Sequence, residues 1–106
     1  MSRASVIVGS MDLARFEESL SAAAPPQGLS PLLVALWHER KGDWTQAHEI
    51  TQDIDSRDAA WVHAYLHRRE GDLPNAAYWY RHAGRPVETG DMDQEWRLIV
   101  EALVSA

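Results

Sequence analysis

His63 and His67 stand four residues apart in HAYLH, so a helix through them projects both imidazoles from one face. Zinc enzymes hold their metal with that spacing in H-E-x-x-H. Here the glutamate that would act as general base is missing, and in the other histidine pairing, His48-Glu49, position 52 is Gln52 where a second histidine would stand. A third ligand must then come from a facing helix. His38, Asp43 and Glu70 are the groups to consider, and three protein ligands would leave one position of a zinc ion open for chemistry. On the competing structural reading, His63 and His67 lie between packed helices, their ring nitrogens bonded to carbonyls or carboxylates as burial requires. That reading needs no metal or other cofactor, and none is expected.

Other chemistries have less to stand on. The sequence has no cysteine, so disulfides, thiolate metal sites and cysteine nucleophiles are excluded together. There is no G-x-S-x-G elbow and no glycine-rich phosphate loop, and the close carboxylates Glu17-Glu18 and Asp53/Asp55 read as exposed helix residues and caps. A catalytic role is the lesser expectation.

Composition narrows the class. At 106 residues with 45% hydrophobic content, the chain suffices for one modest core. The formal charge is -6, unevenly spread: residues 57–86 carry five arginines against Asp58, Glu70 and Asp72, a local +2, leaving -8 to the rest. An acidic chain repels phosphate backbones, so nucleic acid is not an expected partner. No apolar run approaches the ~20 residues that cross a bilayer, and Val6 to Val8 fall short of a signal-peptide core. A soluble, cytoplasmic protein is expected, with no membrane partner.

Helix punctuation recurs throughout. Ser10 or Asp12 starts a helix carrying Leu13, Phe16 and Leu20, which Pro25-Pro26 and Gly28 end. Ser30-Pro31 opens a second helix to about Lys41, apolar on every side over Leu32 to Trp37 and so expected to be central. Gly42-Asp43 closes that helix and opens a third, with Gln46 placed to complete a capping box. A fourth starts at Ser56 or Asp58 and runs to Glu70. Gly71-Asp72 repeats the device, and the fifth helix ends at Gly84. Asp91 with Gln94 opens a sixth, striped by Met92, Trp96, Ile99 and Leu103. No segment alternates at period two, so the class is all-α: about six antiparallel helices stacked as hairpins in one domain over 11–106, with 1–10 a disordered tail.

The two Gly-Asp junctions lie 29 residues apart, from Gly42 to Gly71, and at that offset Trp37, His38, Arg40 and Ala47 fall on Leu66, His67, Arg69 and Ala76. An internal repeat of helical hairpins follows. The second copy, with Gly71-Asp72, Ala76, Tyr80 and Ala83, resembles the second helix of a tetratricopeptide repeat. Two degenerate repeats with flanking helices are implied. The run WVHAYLHRREGDLPNAAYWYRHAGRP, preceded by GDWTQAHEI, is also similar to a family of small, uncharacterised bacterial helical proteins, a resemblance that implies no activity.

In such hairpins the first helices line a concave face, and the resemblance places Trp61, Tyr65, Arg68 and Arg69 on it. Tryptophan, tyrosine and arginine are enriched at binding hot spots. The leading expectation is therefore a small helical-repeat module that binds a protein or peptide segment through these four residues. Two alternatives stand beside it: a metal-binding protein or metal-dependent enzyme using His63, His67 and His38, and a self-associating homodimer.

Overall fold

The computed structural model describes residues 11–105, and they form six helices with no strand. These are α1 (Leu13–Ser19), α2 (Pro31–Arg40), α3 (Trp44–Gln52), α4 (Arg57–Arg69), α5 (Leu73–Ala83) and α6 (Met92–Val104). The tail expected over 1–10 and the Ser10 cap lie outside the described residues. The fold is all-α, and no described helix is long and apolar enough to cross a membrane.

The two Gly-Asp junctions are built alike. Gly42 and Gly71 take φ of +95° and +89°, the left-handed region where a Cβ is penalised. That turn lets the Asp43 N–H reach the His38 carbonyl at 2.9 Å, and the Asp72 N–H reach the His67 carbonyl at 2.9 Å. Each aspartate then caps the next helix, accepting from the Gln46 N–H at 3.1 Å and the Asn75 N–H at 3.3 Å. The strongest helix pairings are accordingly α4 with α5 and α2 with α3.

Smaller departures have local causes. The first helix stops at Ser19, well before the prolines, and Lys41 ties the chain beyond it to the end of α2 through the Leu20 and Ala22 carbonyls. Asp91 caps α6 by accepting from the Asp93 N–H, not from Gln94.

The most enclosed helix is α4, where every residue from Ala59 to His67 is buried, although α2 has the more continuous apolar sequence. Ala59, Ala60 and Ala64 make this possible, because small side chains admit neighbours from several sides. Helix α4 packs against α2, α3, α5 and α6. The helix thus presents one face to α2 and α6 and another to α3 and α5, and both faces carry polar side chains.

Candidate metal centre

The face of α4 toward α2 and α6 holds Trp61, Tyr65, Arg68 and Arg69, and these side chains serve the interior. Tyr65 is fully buried and donates its hydroxyl to Glu39 Oε1 at 2.9 Å. Arg69 Nε lies 3.3 Å from Glu39 Oε2. Glu95, 3% exposed, accepts from Tyr80 Oη at 2.5 Å, Arg68 Nη1 at 2.9 Å and Trp61 Nε1 at 3.3 Å. Arg85 covers the Trp61 ring at 3.4 Å, and Arg68 also donates to the Gly90 carbonyl. Two buried carboxylates need donors, and this face of α4 supplies them. Trp61 and Tyr65 therefore do not line an open concave surface as the hairpin resemblance implied. Arg69, with a third of its side chain exposed, is the most accessible of the four.

Burial raises the Glu39 carboxyl above its ordinary range, although Tyr65 and then Arg69 and Arg40 oppose the effect. Tyr65 and Tyr80 are both pushed well up, by desolvation first and then by the glutamate each one contacts.

The opposite face of α4 gathers imidazoles. His63 and His67, both buried, point toward α3, where His48 meets them from across the α3–α4 connection. One nitrogen from each of the three rings lies within 4.8 Å of the others. His48 Nε2 and His63 Nε2 are 3.1 Å apart, close enough for one neutral ring to donate and the other to accept. His67 Nδ1 sits 2.7 Å from Glu70 Oε2. A carboxylate can only accept there, so the imidazole donates from Nδ1, which in the neutral ring leaves the Nε2 lone pair for another partner.

Tryptophans frame the cluster. Trp44 stacks on His48 with centroids 4.9 Å apart, and its indole N–H is fixed by the Leu66 carbonyl at 2.6 Å. Trp79 stacks on His63 at 4.0 Å and an interplanar angle of 9°. The rings are thereby restricted to a narrow range of orientations. Desolvation lowers the His63 pKa to about 4, with the neighbouring His48 and His67 adding to the effect. It lowers His48 as well, for the same leading reason. Both rings are consequently neutral at pH 7, the form that coordinates a metal.

His38 contributes nothing to this cluster. It lies on α2 with its ring edge-on to Trp37, and what it shares with His67 is the carbonyl that accepts from the turn aspartate. Asp43 is spent capping α3, and Glu70 bears on His67 rather than joining the three imidazoles. Of the sequence-derived ligands, the fold brings His63 and His67 together and substitutes His48 for His38.

In chemical terms, three imidazoles on two helices, one of them oriented by a carboxylate, make a donor set suited to zinc, copper or nickel. Four-coordinate zinc places its ligands roughly 3.4 Å apart, so closing the set would draw in its widest pair by at most about 1.4 Å. No family model, curated protein or solved structure matches this chain.

Proposed function

We propose that this chain is a transition-metal-binding protein whose ligands are His48, His63 and His67. The observation that carries the reading is the convergence of three imidazole nitrogens within 4.8 Å, on two helices joined by a short connection. Burial keeps the His48 and His63 rings neutral, and in neutral His67 the Glu70 contact selects the tautomer that binds metal through Nε2. The lack of cysteine supports a cytoplasmic address and leaves imidazole as the ligand chemistry.

Titration with zinc, nickel and copper followed by thermal unfolding tests the reading, because a ligand held only by the native state raises Tm. At a free metal concentration 100-fold above Kd the stabilisation is about 2.7 kcal/mol, or roughly 10–20 °C for a domain of this size. The double variant His63→Asn/His67→Asn should show none. An unchanged Tm with all three metals in the wild type would remove the proposal.

A second reading, a helical-repeat module that docks a protein or peptide segment, has its support elsewhere on the surface. Leu73 and Val87 are 61% and 52% exposed and line a groove of about 350 Å³ that also includes Ala76 and Met92. Exposed apolar side chains beside a groove suit an apolar anchor residue. A Leu73→Asp/Val87→Asp variant that captures the same partners as wild type would dispose of this reading. Sedimentation over a range of concentrations would separate it from homodimerisation through the same groove.

A further inference from the structure

The imidazole cluster shares a wall with a cleft of about 520 Å³, to which His63 and Trp79 both contribute. That volume falls within the roughly 300–1,000 Å³ range of small-molecule sites. The cleft lies where residues 53–56 turn the chain from α3 into α4, and Ala59 and Ala60 in the first turn of α4 keep it open.

Its charged side chains are uncommitted, although Ser56 caps α4 and His63 pairs with His48. Asp53, Asp55 and Arg57 line the cleft and form no ion pair among the described residues, in contrast to Arg40, Arg68 and Arg69. Trp37, Trp44, Trp61 and Trp96 each donate the indole N–H inside the fold. Trp79 is half-buried, and its N–H has no hydrogen-bond partner among the described residues. Its ring is stacked on a ring of the metal centre.

Charge decides which ligand fits. One arginine and two aspartates line the cleft, so without metal it is net negative and repels anions. A divalent ion held by the three imidazoles reverses that sign, and a three-ligand zinc site keeps one position open. We propose that the metal-loaded protein binds a small carboxylate in this cleft, one oxygen taking the open metal position and its charge met by the Arg57 guanidinium and the Trp79 indole N–H. This inference rests on the metal reading above. It makes carboxylate binding conditional on metal, and by linkage the carboxylate tightens metal binding by the same factor.

Cobalt(II) and acetate test it, since the visible bands of cobalt report its coordination directly. In the cobalt-loaded protein acetate should shift those bands saturably. The Trp79 indole N–H resonance of the zinc-loaded protein should follow acetate with the same affinity, and in the metal-free protein at least tenfold more weakly. Arg57→Ala, at an exposed position, should weaken acetate about tenfold while leaving the acetate-free cobalt spectrum unchanged. Cobalt bands that ignore acetate would overturn the inference and leave the metal reading standing, as would equal acetate affinity with and without metal. Unchanged acetate affinity in Arg57→Ala would overturn the assignment to this cleft. Absence of cobalt bands, together with an unchanged Tm in zinc, nickel and copper, would remove both proposals.

Discussion

Helix α4 carries two polar clusters on opposite faces, and they are built on contrary principles. Toward α2 and α6, every charged group meets its complement: Glu39 has Tyr65 and Arg69, and Glu95 has Tyr80, Trp61 and Arg68. Toward α3 and α5, three like groups meet one another, and Glu70 accepts from one of them. Donors matched to acceptors in a buried site give a fixed internal joint. Three imidazoles brought together, each at a desolvation cost and with one direct hydrogen bond between two of them, leave lone pairs that a cation can use. The first cluster reads as architecture and the second as a site.

Substitutions at the two clusters should therefore have opposite signatures. The largest loss of stability belongs to the carboxylate cluster. Glu95→Ala leaves the Tyr80 hydroxyl, the Trp61 N–H and the Arg68 guanidinium without their acceptor, and should cost about 3–5 kcal/mol in urea unfolding whether or not metal is present. A cost below about 1 kcal/mol would erase the contrast. His63→Asn should behave the other way round: a modest effect on the metal-free protein, but loss of the roughly 2.7 kcal/mol that zinc supplies at 100 times its Kd. Equal costs with and without zinc would return the histidines to a packing role.

An intermediate effect is expected at Glu70. Glu70→Gln keeps the side chain's size but weakens the constraint on the His67 tautomer, and should reduce zinc affinity about 10–100-fold with little change in metal-free stability. Calorimetric titration measures both affinity and proton release. Acid should separate wild type from His63→Asn without metal. His63 binds no proton in the folded state until pH falls to about 4, whereas an unfolded histidine titrates near 6.5. Between those values the unfolded chain holds more protons, so stability falls as pH drops from about 6.5 to 4. The decline should be steeper for wild type than for His63→Asn in thermal melts, and parallel profiles would contradict the assigned burial cost.

The Gly-Asp junctions were legible because their chemistry is local. A left-handed glycine and a capping aspartate act within a few residues, and both copies formed as the 29-residue offset implied. Helix boundaries set by tertiary contacts were less so, as the early end of α1 at Ser19 illustrates. The site was half visible. His63 and His67 share a face of one helix, and period alone pairs them. His48 joins them across a helix interface, and the packing register of α3 on α4 leaves no periodic trace in sequence. The same limit explains Trp61, Tyr65, Arg68 and Arg69: their types suit a binding surface equally well until Glu39 and Glu95 are found opposite them. Glu95 gave no local warning of burial, lying among Asp91, Asp93 and Gln94, none of which is buried.

The central claim is a ligand set, and X-ray absorption at the zinc edge of the loaded protein reads that set directly. One zinc per chain with three imidazole nitrogens at about 2.0–2.1 Å, reduced to at most two in His48→Asn, is the predicted result. A shell dominated by carboxylate oxygen, or a spectrum unchanged by His48→Asn, would contradict it.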